Sequence, residues 1–137
     1  WACRNLNYCT DVKFLGKMDT VANILNHTDL FLLPSETESF GLAALEAMAC
    51  HTPVISTNAG GLPEVNINGV TGYTCDIGDI DCMSEKGLSI LQSEETLKKF
   101  KQAAYDHARN YDIIKIMPLY ETLYHQLVEA TQQAPEK

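Results

Sequence analysis

LFLLPSETESFGLAALE, running from Leu30 to Glu46, is the stretch whose reading decides the fold. Leu30-Phe31-Leu32-Leu33 is a continuous apolar run, the pattern of a strand covered on both faces by helices, and Pro34 stops it. The strand delivers a polar loop at its carboxyl end. Ser39 stands where a helix N-cap is needed, and residues 40–48 are helix formers rich in alanine. Gly41 then falls in the first helical turn. There it lets a ligand approach backbone N–H groups that no helix carbonyl satisfies, at the dipole end that favours an anion.

Two carboxylates frame this helix start, Glu38 before it and Glu46 two turns in. At a rise of ~1.5 Å per residue they lie roughly 12 Å apart, about the length of a sugar, a diphosphate and a ribose end to end. Helical side chains lean toward the N-terminus, so Glu46 points back along the face of Leu42 and Ala43. Carboxylates accept hydrogen bonds from paired hydroxyls and repel phosphate, which implies hydroxyls at both ends and an anion in the middle. The same spacing also describes a solvated loop glutamate, a capping serine and an ordinary amphipathic helix.

Residues 38–49, ESFGLAALEAMA, resemble the two-glutamate motif of the retaining family 4 glycosyltransferases, which have the two-domain GT-B fold. Pro53-Val54-Ile55, Gly60-Gly61-Leu62-Pro63-Glu64 and Gly69-Val70-Thr71-Gly72-Tyr73 follow where that family places them, so the resemblance covers nearly the whole chain. It implies an α/β domain with a doubly wound, Rossmann-like parallel sheet, part of the C-terminal, donor-binding half. Glu38 would hold the hydroxyls of the transferred sugar as the catalytic carboxylate. Ser39 and the backbone of Phe40, Gly41 and Leu42 would contact sugar and diphosphate, and Glu46 the ribose. Leu15, Gly16 and Lys17, after an expected short strand at residues 11–16, would hold the nucleobase; read by themselves, they are a turn glycine and a solvated lysine. PSETESFGLAALEAMAC and ISTNAGGLPEVNINGVTGY are most similar to members that transfer N-acetylglucosamine from UDP to L-malate in bacillithiol biosynthesis. Other family 4 acceptors, such as a lipid or polysaccharide, and a non-catalytic nucleotide-binding fragment are the alternatives. The family's phosphate-binding arginine and lysine have no match here. The resemblance implies a UDP-sugar donor, a small acceptor such as malate, no cofactor and no metal.

With 137 residues, 45% of them hydrophobic, the chain is one domain with room for a real core. A GT-B enzyme needs two, and a chain that opens at Trp1 inside an apparent helix end reads as a fragment: residues 1–130 donor domain, 131–137 a fraying tail. The N-terminal domain would lie upstream, and apolar faces it would cover point to a homo-oligomer. A net charge of -8 argues against a nucleic-acid or anionic-membrane surface. No apolar run approaches a membrane span and no signal-peptide pattern appears, so a cytoplasmic location is expected. Cys3, Cys9, Cys50, Cys75 and Cys82 form no C-x-x-C pair, which reads as five reduced thiols rather than a zinc site. A receiver domain is disfavoured for want of an acidic cluster at an early strand end, and a dinucleotide domain for want of G-x-G-x-x-G after a strand.

Elsewhere Asp19 is expected to cap a helix with Val21, Ile24 and Leu25 on one face, and His51 to end the central helix in a left-handed conformation. Three helical stripes complete the chain: Ile80, Met83, Gly87, Ile90 and Leu91; Leu97, Phe100, Ala104, His107 and Ala108; and Ile113, Ile116, Met117, Tyr120, Leu123, Tyr124 and Leu127. His107 reads as a satisfied structural histidine.

Overall fold

The computed structural model describes residues 11–132. The elements run α1 (Ala22–Leu25), β1 (Phe31–Leu33), α2 (Leu42–Ala49), β2 (Val54–Thr57), α3 (Leu62–Val65), β3 (Gly72–Cys75), α4 (Ile80–Leu91), α5 (Glu94–Ala108), a 3-10 turn at Arg109–Tyr111, and α6 (Ile113–Gln132). The three strands form one parallel sheet in the order β1-β2-β3. Phe31 stands opposite Val54, and Val54 opposite Gly72. All three strands therefore end on the same edge, and the loops after Leu33, Thr57 and Cys75 share it.

β2 is buried at every residue. Its alternating side chains feed two cores. Val54 packs with Leu25, Ala44, Ala47, Met48, Leu62, Val65, Ala104 and Ala108 on one face, and Ile55 packs with Ile90 and Phe100 on the other. Small residues let the layers close. A Cβ on Gly72 would lie 1.7 Å from the Val54 carbonyl oxygen, so only glycine fits there. Asn66, fully buried, ties the sheet together: its Nδ2 donates to the Val54 and Tyr73 carbonyls at 3.1 and 3.0 Å and to Ser56 Oγ at 2.9 Å, while its Oδ1 accepts from Thr71 Oγ1 at 2.8 Å.

α2 ends as expected, with a physical reason. His51 has φ 59, its N–H donates to the Met48 carbonyl, and the Thr52 N–H donates back to Ala47, the paired bonds of a Schellman cap. The strain of a left-handed histidine is offset by its ring, stacked 3.9 Å from Tyr105.

Five expectations are corrected. Residues 12–16 form no strand, because no ladder among the described residues offers them a partner; Val12, Phe14 and Leu15 are exposed. Asp19 caps nothing: α1 starts from Val21 without a side-chain cap. β1 is not covered on both faces: Leu32 is 55% exposed, and among the described residues β1 is an outer strand of the sheet. Cys75 and Cys82 form a disulfide, their Cα atoms 6.0 Å apart across the β3–α4 turn, so the reduced-thiol reading holds at most for the others, of which Cys50 is free. Ile80 and Leu91 of the α4 stripe face outward rather than into the body; most of the α6 stripe is exposed too, as the expected uncovered apolar face requires. The expected helix remnant at residues 1–6, Cys3, Cys9 and residues 133–137 lie outside the described residues.

Candidate functional site

Gly41, not Ser39, is the N-cap of α2. Its φ of 99 is left-handed, and no side chain caps the helix. The Ala44 and Leu45 N–H groups both reach the Gly41 carbonyl, at 3.0 and 3.1 Å. That leaves the Leu42 and Ala43 amides without an acceptor among the described residues, at the end of the helix where the dipole is positive. The Ser39 N–H donates to Oε1 of the preceding Glu38 at 3.1 Å. The helix thus opens two residues later than the sequence suggests, and Glu46 lies one turn beyond Leu42.

The loop of residues 34–41 is held by close backbone contact. A Cβ on Gly60 would fall 1.6 Å from the Glu38 carbonyl oxygen, and one on Gly61 would fall 2.7 Å from that of Ser39. The paired glycines therefore let the β2 loop lie directly against the Glu38 segment. Thr57 Oγ1 donates to the Ser35 carbonyl, while Leu62 and Val65 of α3 fill the space beside Gly41. Across the same edge, Asn58 Nδ2 donates to Asp76 Oδ1 at 2.6 Å, next to the disulfide.

Glu38 is half-buried; Ser39, Phe40, Leu42 and Glu46 are exposed. Glu46 stands between two open hollows. One of about 410 Å³ is lined by Asp19, Thr20, Val21, Leu25 and Cys50 besides Glu46. The other, also about 410 Å³, runs past Tyr105, Arg109, Tyr111 and Asp112. Both are within the size of small-molecule clefts, ~300–1,000 Å³. The structure thus joins Glu38, Ser39, Phe40, Gly41, Leu42 and Glu46 in one loop and helix start. It sets Leu15, Gly16 and Lys17, all exposed, in the segment leading to the first hollow without bringing them into its lining. Glu38 lines neither hollow.

Sequence reasoning missed Arg109, a cation facing the Glu46 hollow from the end of α5. It also missed Tyr111; both come from far along the chain, where no local pattern marks them. His107 is not satisfied as expected: its Nε2 is buried with no hydrogen-bond partner among the described residues. No group of three His, Cys, Asp or Glu side chains among the described residues is placed to hold a metal ion.

Residues 2–107 match the family of glycosyl transferases group 1. The chain belongs to that family. Over 129 residues it is 42% identical to the N-acetyl-alpha-D-glucosaminyl L-malate synthase of Bacillus anthracis, covering 91% of this chain and 33% of that protein. Among solved structures, the sucrose-phosphate synthase of Thermosynechococcus elongatus superposes with a TM-score of 0.79 at 30% identity, over 87% of this chain and 31% of that one. Anabaena HepE, solved in complex with UDP and glucose, superposes with a TM-score of 0.77 at 27% identity, over 85% and 32%. The chain therefore spans about a third of the length of the curated relative it matches, and its fold is part of the C-terminal domain of a GT-B glycosyltransferase. No helix among the described residues is long and apolar enough to cross a membrane.

Proposed function

We propose that this chain is the donor-binding half of a retaining family 4 glycosyltransferase that moves N-acetylglucosamine from UDP to the hydroxyl of L-malate. The observation that carries the donor site is the left-handed Gly41, which opens α2 with uncapped amides between Glu38 and Glu46. A diphosphate suits those amides, since the helix end supplies donors and positive potential while the flanking carboxylates are set apart from it. Glu38 is read as the hydrogen-bond acceptor for the transferred sugar. Ser39, Phe40, Gly41 and Leu42 contact sugar and diphosphate, and Glu46 accepts from the ribose hydroxyls. Leu15, Gly16 and Lys17, in the exposed segment before Asp19, are read as the nucleobase contacts.

No side chain here is assigned as a nucleophile. The acceptor hydroxyl attacks on the face that UDP leaves, and cations from the rest of the domain stabilise the departing phosphate. Malate as acceptor is supported by the likeness to the Bacillus anthracis enzyme, as is the bacillithiol setting. An N-terminal domain completes the cleft, and the exposed α6 face takes a partner. The location is read as cytoplasmic, which would expose the Cys75–Cys82 bridge to a thiol pool.

Calorimetric titration of the chain with UDP tests the reading. Saturable binding that Glu46→Gln weakens is expected; no binding, or equal binding by the variant, rejects the donor site. With the complete protein, UDP release that needs both UDP-N-acetylglucosamine and malate is expected, and transfer to a lipid or polysaccharide instead would replace the acceptor assignment.

A further inference from the structure

Phe40 is the residue between the Glu38 turn and the helix cap, and its backbone amide lies in the proposed donor site. Phe40 is 39% exposed, so its ring is only partly backed. That backing comes from the 3-10 turn after α5. The Tyr111 ring meets Phe40 edge to face, centroids 5.9 Å apart and planes at 69°. Tyr111 Oη donates to the Glu64 carbonyl at 3.1 Å. Glu64 belongs to α3, whose Leu62 and Val65 close the space beside Gly41. One side chain thus braces both sides of the cap, Phe40 before Gly41 and α3 across from it.

Behind Tyr111 stands His107, one helical turn upstream and again edge to face at 5.5 Å. Its Nε2 is buried with no partner among the described residues, so packing against Tyr111 rather than a hydrogen bond holds the imidazole. Phe40, Tyr111 and His107 form a continuous aromatic column from the ligand edge to α5.

We propose that Tyr111 is a positioning residue that fixes the Phe40–Gly41 backbone for the diphosphate end of the nucleotide. This rests on the donor-site reading above. Tyr111 touches no substrate itself. Its influence should reach the helix-start amides and spare the ribose and base, which the donor-site reading puts at Glu46 and in the hollow beside α1, a hollow that Tyr111 does not line.

The test titrates the chain and its Tyr111→Leu and Tyr111→Phe variants with UDP and with uridine, after circular dichroism confirms the fold. Edge-to-face pairs and single neutral hydrogen bonds each account for about 3- to 10-fold in an equilibrium. Tyr111→Leu should weaken UDP about 10-fold and leave uridine unchanged; Tyr111→Phe, which keeps the ring, should weaken UDP about 3-fold. Equal losses for UDP and uridine would mean general loosening and overturn the proposal, as would unchanged UDP affinity. If Tyr111→Leu does not fold, the same comparison on Tyr111→Phe decides. A wild-type chain that binds no UDP instead removes the donor-site reading beneath it.

Discussion

Gly41 shows how much a single backbone angle can determine. At φ 99 it turns the chain into α2, and a Cβ there would meet Leu62 Cδ2 at 2.9 Å. Gly41→Ala should therefore cost about 1–3 kcal/mol in urea unfolding and abolish UDP binding, because α2 would have to open elsewhere. The two glutamates differ in another way. Glu46, on the helix body, is read against the ribose, which does not change during transfer, so Glu46→Gln in the complete enzyme should raise the donor KM with kcat little altered. Glu38 is read against the sugar as positive charge develops, so Glu38→Gln should lower kcat by about 10-fold or more if one charge-assisted bond worth ~1.5–3 kcal/mol weakens. Steady-state kinetics on both variants checks this: reversed effects would exchange the sugar and ribose ends, and two silent variants would make the motif scaffold. These residues were legible in the sequence because they share one loop and one helix. Tyr111 and Arg109 were not, since their relation to the site arises from α5 packing along α2.

At the level of elements, the apolar run stopped by Pro34 located β1 and the alanine-rich stretch after it located α2, and the motif segments at Pro53-Val54-Ile55 and Gly72-Tyr73 fall on the starts of β2 and β3. The Ser39 cap failed for a local reason: the chain turns into the helix at the left-handed Gly41, two residues past Ser39. The strand at residues 11–16 failed because a strand is a property of a pair, and no neighbour among the described residues completes it. The Cys75–Cys82 bridge failed because spacing cannot show that a strand end and a helix start face each other across a four-residue turn. That bridge carries a prediction. It closes a loop with a sequence separation of 7, which by chain entropy stabilises the fold by about 2 kcal/mol. Denaturant titration with and without a dithiol should show a lower midpoint on reduction. An unchanged midpoint would mean that the Asn58–Asp76 bond and the packing of Ile90 already hold the β3–α4 turn.

For the molecule as a whole, the outward face of α6 sets the behaviour in solution. Ile113, Ile114, Leu119 and Tyr124 are 64, 79, 64 and 62% exposed, and Tyr120, Leu123, Leu127 and Val128 extend the strip along the same helix. Apolar surface in a continuous strip is favourable to bury, at roughly 25 cal/mol per Å². Against this stands the net charge of -8, which makes two copies repel over about a Debye length, ~10 Å at 0.1 M salt. The balance should therefore depend on salt. Light scattering should show the apparent mass rising with protein concentration, and rising further at 0.5 M than at 0.05 M sodium chloride (Debye lengths of roughly 4 and 14 Å), because screening removes the repulsion and leaves the apolar term intact. Leu123→Glu with Leu127→Glu should restore the monomer at both salts, since charges on that strip would be desolvated on contact. A chain that stays monodisperse and monomeric at high concentration and high salt would mean that α6 covers its own apolar face in solution. An association that weakens with salt would place the contact on charged surface instead of this helix.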